Sequence, residues 1–145
     1  MTSIGDFAAL VPGEHGLCVV STSRGDGTIQ SSVVNAGIIK SPVTGEDAVA
    51  LVARGGARKL ANLRERPWAT IVIRVGWQWA AAEGPATLIG PDDSDVRLLL
   101  REIFTAAGGT HEDFATYDRV MAEERRTAVL ITPERVYSNR LRCTA

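Results

Sequence analysis

The chain has 145 residues, 45% hydrophobic and 23% charged, with 14 Gly, 6 Pro, 3 Trp and 2 Cys, a composition that points to one globular domain. A net charge of −1 gives no whole-molecule attraction to nucleic acid or to an anionic membrane, and two cysteines make no disulfide framework. No apolar run approaches the roughly 20 residues of a membrane span, and MTSIGDFAAL lacks a signal-peptide pattern, so the expected location is cytoplasmic.

In chain order, Ser3-Ile-Gly-Asp6 has the form of a capping box and opens a short helix near 3–11, stopped by Pro12-Gly13. Residues 17–23 read as a buried strand, Arg24-Gly-Asp-Gly27 as its hairpin turn, and 28–39 as the returning strand. Ser41-Pro-Val-Thr-Gly45 turns the chain into a third strand over 48–54. Gly55-Gly56 opens a helix over 57–66 that Pro67 closes, and 68–75 with 77–88 form a hairpin about Gly76. Two helices follow near 93–107 and 111–125, separated by Gly108-Gly109. The first carries an apolar stripe of Val96, Leu99, Leu100, Ile103 and Phe104, the second Phe114, Tyr117 and Met121. Residues 127–132 read as the last strand, continued by Val136-Tyr137 beyond Pro133. Six strands joined mostly by hairpins predict a single domain over 1–145, mainly β with accessory helices, whose antiparallel sheet closes into a small barrel.

The side chains of the common catalytic constellations are missing. His15 and His111 stand at no metal-ligand spacing from each other or from a cysteine, so no metal is expected, and no nucleophile elbow or nucleotide-binding glycine motif occurs. No acid, base or nucleophile can therefore be nominated. The charge, however, is unevenly placed. From Arg54 to Arg74 six cations face the single acid Glu65, whereas from Asp92 to Arg126 nine acids face five arginines. In the basic segment Arg54–Pro67 the glycines permit a tight turn, the helix start leaves free N–H groups, and Arg58, Lys59 and Asn62 are expected to share one helix side. A point charge, a planar fork and an uncharged amide donor suit a phosphate.

The segment sits in a wider frame. Lys59-x-x-Asn-Leu-Arg-x-x-Pro67-x-Ala69, Gly76-Trp-x-Trp-x-x-x-Glu-Gly84-x-Ala86, Gly90-Pro-Asp-Asp93 and Pro133-Glu-Arg-Val-Tyr137 follow one another in this order. Together they resemble the pyridoxamine 5′-phosphate oxidase-like split-barrel superfamily, and more closely its actinobacterial branch that uses the deazaflavin coenzyme F420. The resemblance runs over about 7–137. It implies a six-stranded antiparallel split β-barrel of the FMN-binding type, working as a homodimer with cofactor sites at the subunit interface. It places Lys59 on the cofactor phosphate, with Arg58 and Asn62 as helpers. Ala57 stands where relatives often carry an arginine, so Arg54 is a further candidate for that charge. Ser31, Ser32 and Asn35 would hydrogen-bond the pyrimidine edge of the ring. Trp77 and Trp79, read as lying on one strand face, would either flank the ring or pack in the core.

The short stretch after Tyr137 speaks against pyridoxamine oxidation itself. The activity implied is an F420-dependent reductase that passes a hydride from the reduced coenzyme to a small conjugated acceptor, biliverdin- or quinone-like. The alternatives are an FMN-dependent oxidoreductase or flavin reductase on the same barrel, and a cofactor- or tetrapyrrole-binding protein without turnover. Neither nucleic acid nor membrane is an expected partner.

Overall fold

The computed structural model of the chain describes residues 2–139. In order, its elements are α1 (Ile4–Ala8), a 3-10 turn (Val11–Glu14), β1 (Leu17–Ser23), β2 (Ile29–Lys40), β3 (Asp47–Ala53), α2 (Arg58–Glu65), β4 (Trp68–Val75), β5 (Gln78–Ile89), α3 (Val96–Ala106), α4 (Phe114–Glu123), β6 (Thr127–Ile131) and β7 (Arg135–Ser138). The strands pair antiparallel in the order β4-β1-β2-β3-β6-β5, and β4 pairs with β5 to close the barrel. This is the split barrel expected, with one strand more. The first helix is shorter than the 3–11 expected, because the chain tightens into the 3-10 turn at Pro12.

Two apolar cores explain the strand sequences. Within the barrel, Val20, Leu51, Ile71, Ile73, Val129 and Ile131 meet Phe7 of α1 and Leu60 and Leu63 of α2, which plug its ends. Outside it, Leu99, Leu100, Ile103 and Tyr117 of α3 and α4 pack on Ile39, Ala48, Ala50, Ala128 and Leu130. β3 and β6 are therefore buried on both faces, and this is why they read as unbroken apolar runs rather than as alternating ones. At Gly37 a Cβ would fall 2.4 Å from the backbone of Ala106, so the end of α3 rests directly on β2. Where the helices stop, the outward face of β1 and the first half of β2 is left uncovered, with Val33 64% and Ile29 57% exposed.

The seventh strand corrects the sequence reading. β7 does not continue β6. After Ile131 the chain crosses over Gly84, where a Cβ would lie only 1.9 Å from the Thr132 carbonyl oxygen, and β7 pairs with residues 80–83 of β5. β6 pairs with residues 86–89 further along the same strand. Pro133, which cannot donate to a ladder, marks a change of position along the neighbour and not an interruption within one strand.

Candidate functional site

A cavity of about 530 Å³ opens where the α3–α4 layer leaves β2 uncovered. Its polar end is made by Arg54, Lys59, Arg126 and Asn35, and its apolar part by Val33, Val52, Ile103, Phe104, Tyr117 and Met121. The polar end follows from strand pairing. β3 and β6 are in register as far as Ala53 opposite Thr127, so Arg54 and Arg126, one residue beyond, leave the sheet side by side. The turn is held by the Gly55 N–H donating to the Glu124 carbonyl at 3.1 Å.

Glu124 is the counter-ion of both arginines. One carboxylate oxygen accepts from Arg54 Nη2 at 2.9 Å; the other accepts from Arg126 Nε at 3.0 Å and lies 3.0 Å from Arg126 Nη2. The guanidiniums beside it hold the Glu124 carboxyl below its ordinary range, the Arg126 hydrogen bond most of all. Lys59, one residue into α2, is partly buried and has no hydrogen-bond or ion-pair partner among the described residues. Burial first, and the charge of Arg126 second, push its pKa down. No side chain caps the N-terminus of α2. Three cations against one carboxylate leave this end of the cavity with two uncompensated positive charges.

The apolar wall is fully engaged with itself. Phe104 and Tyr117 pack with ring centroids 4.9 Å apart, and the Tyr117 hydroxyl donates to the Leu100 carbonyl at 3.1 Å. Asn35 donates its amide to the His15 carbonyl at 2.9 Å. Such a cavity reads an anion at one end and shape at the other.

Of the residues nominated from the sequence, Arg54, Lys59 and Asn35 come together here. Arg58 and Asn62 do not share a helix side with Lys59. They border a separate cavity of about 500 Å³ with Arg24, Glu65 and Arg66, and Asn62 is buried with its amide donating to Thr22 Oγ1 at 3.0 Å. The reason is the helical step of about 100° between neighbours, which points Arg58 away from the cavity that Lys59 enters. Ser31 exchanges a 2.8 Å hydrogen bond with Ser21 on the outward face of β2, whereas the Ser32 hydroxyl is buried with no partner in the described residues. Neither serine borders the cavity.

Trp77 is not in a strand with Trp79: it occupies the β4–β5 turn and is 92% exposed. Trp79 meets Tyr137 edge to face at 6.1 Å and lines a different cavity of about 170 Å³ beside Leu10 and Asn139. Arg126, Phe104, Tyr117 and Met121 are among the lining residues the sequence reading missed. The apolar three were visible as helix stripes, but no signal tied them to the basic segment. Among the described residues there is no cluster of potential metal ligands, and no helix is long and apolar enough to cross a membrane.

Comparison with known proteins locates this geometry. No curated protein matches the sequence. Among solved structures, the conserved hypothetical protein Rv2991 from Mycobacterium tuberculosis is similar at 17% identity and TM-score 0.71, over 95% of this chain and 84% of that one. A pyridoxamine 5′-phosphate oxidase-related, FMN-binding protein from Nostoc punctiforme is similar at 14% identity and TM-score 0.62, over 95% and 86% of the two chains. An F420 reductase is similar at 13% identity and TM-score 0.63, over 89% and 94%. At these identities the likeness is one of fold. The sequence pattern of the pyridoxamine 5′-phosphate oxidase family matches residues 6–140, and the chain belongs to that family.

Proposed function

We propose that the cavity holds a phosphate-bearing deazaflavin of the F420 type and that the protein is a reductase acting on a small conjugated acceptor, biliverdin- or quinone-like. The observation that carries this reading is Lys59, a partly buried ammonium with no hydrogen-bond or ion-pair partner among the described residues, lining one cavity with two arginines that share one carboxylate. A buried cation without a counter-charge is costly, and an anionic ligand group supplies one. The bound coenzyme would supply the hydride, and this accounts for a site without an acid, base or nucleophile. Lys59, Arg54 and Arg126 would grip the anionic end. Val33, Val52 and Phe104 would seat the flat ring and keep water from it, and Asn35 is placed to meet a polar edge.

The same residues fit FMN. Two uncompensated positive charges match a phosphate monoester, which carries about −1.5 to −2 at pH 7, so an FMN-dependent oxidoreductase is the second reading. In either case a second copy of the chain is proposed to cover the apolar face of β1 and β2. Val33 belongs both to that face and to the cavity rim, so the covering subunit would complete the pocket. Parallel fluorescence titrations with F420 and FMN, with Lys59→Ala as control, test the assignment. Tight F420 binding that Lys59→Ala weakens supports the first reading, and preference for FMN the second. Tight binding without hydride transfer would make the protein a carrier, and binding of neither would remove the proposal.

A further inference from the structure

We infer that Arg126 is the second anion ligand of this cavity, held ready by Glu124. The inference rests on the anion-site reading above and deepens it by giving Arg126 and Glu124 separate roles. Ala57 and Arg126 line the same cavity, one at the start of α2 and the other just before β6. The side chain at 57 is only a methyl group, and the guanidinium comes from a position 67 residues away along the chain from Lys59.

Arg126 is not spent on structure. Only its Nε and one terminal nitrogen engage Glu124, and a guanidinium has five N–H donors in a fixed fork, so its remaining donors have no partner among the described residues. Arg54 is held by the same carboxylate through the other oxygen. Glu124 is thus a positioning residue: it fixes two guanidiniums while neutralising only one charge. Arg126 and Lys59 line the same cavity, where their like charges repel; burial first, and the charge of Arg126 second, lower the Lys59 pKa. Two like charges are held together in a cavity to no structural advantage unless an anion lies between them.

The test is a set of binding titrations with three probes, F420, FMN and inorganic phosphate, on the full chain. Arg126→Gln is expected to weaken the probes that bind by about 10- to 150-fold, the range for one charge-assisted hydrogen bond. Adding Ala57→Arg to Arg126→Gln is expected to recover most of that loss, because it returns a guanidinium to the lining of the same cavity. Arg126→Lys keeps the charge without the fork and is expected to fall between wild type and Arg126→Gln; it also serves if Arg126→Gln does not fold.

A second readout, titration of the Lys59 ammonium by NMR, is expected to move up in ligand-free Arg126→Gln. An Arg126 guanidinium directed away from Lys59 would leave it unmoved. Wild-type binding with equal affinity in Arg126→Gln, or no recovery with Ala57→Arg, overturns the inference and leaves the cofactor reading standing. Binding of phosphate without either coenzyme overturns the cofactor reading, and the effect of Arg126→Gln on phosphate then decides the inference. Binding of none of the three overturns both.

Discussion

Replacing Lys59 by methionine should move stability and binding in opposite directions. Methionine keeps a flexible stem of similar length in the same cavity but removes an ammonium that is partly buried, without a partner among the described residues and repelled by Arg126. Binding of an anionic cofactor should weaken by about 1.5–3 kcal/mol, the worth of a hydrogen bond to a charged group, which is about 10- to 150-fold in Kd. The ligand-free protein should instead gain about 0.5–2 kcal/mol, the usual yield of a stabilising substitution, and a domain of this size gains about 2–4 °C in Tm per kcal/mol.

The pH dependence of that gain follows from linkage. The folded-state pKa of Lys59 lies below its ordinary value of 10.5, so between the two the unfolded chain binds more protons and wild-type stability rises with pH. The advantage of the methionine variant should be fully present at neutral pH and disappear as pH rises past the ordinary lysine value. Thermal melts with and without cofactor, repeated across pH, measure all of this. A ligand-free variant that melts no higher than wild type, with an unchanged ligand-induced shift, would refute the account of Lys59 as an uncompensated cation kept for binding.

Gly84→Ala should destabilise by about 3 kcal/mol or more through the 1.9 Å clash with the Thr132 carbonyl, read as a lower denaturant midpoint. Asn62→Ala should cost about 0.5–1.5 kcal/mol by removing the donor to the buried Thr22 hydroxyl, which keeps its own bond to Gln30 Oε1, while leaving cofactor affinity unchanged; a binding defect would return Asn62 to the site. In a Cys143→Ser background, Cys18 should resist thiol reagents at pH 8 until the protein unfolds, since burial pushes its pKa up to about 12. Because that value exceeds the ordinary 9.0, the Cys18 contribution to stability should fall as pH rises above about 9, and Cys18→Ala should blunt the alkaline loss.

Much of the fold was legible because the hairpins announce themselves locally: Asp26-Gly27 and Gly76 sit between apolar runs, and β1 through β5 lie close to their predicted ranges. The basic segment was legible too, and Lys59 and Arg54 do meet. What the sequence could not show was arrangement across distance. Periodicity tells that Phe104 and Tyr117 belong to an apolar helix face, not which part of the sheet receives that face. Arg126 reaches Arg54 only because β3 and β6 pair, a contact spanning 72 residues that no local pattern encodes. The single strand expected over 127–137 failed for a related reason, since a proline in a strand and a proline at a strand crossing look alike in one dimension.

β5 and β6 are neighbours in the barrel, with Leu88 opposite Val129 and Ile89 opposite Ala128, yet 36 residues lie between Ile89 and Arg126, and Ile103, Phe104, Tyr117 and Met121 of this excursion roof the cavity. The excursion leaves and returns at adjoining points. It can therefore lengthen, shorten or be exchanged without altering the register of the walls beneath it. The basic side of the cavity, built mainly on the β3–α2 junction, and the shape of its apolar space are separate inheritances, joined at one seam. Arg126 lies on that seam, so a change of roof that shifts its last residue would alter the charge and the shape of the cavity in a single event.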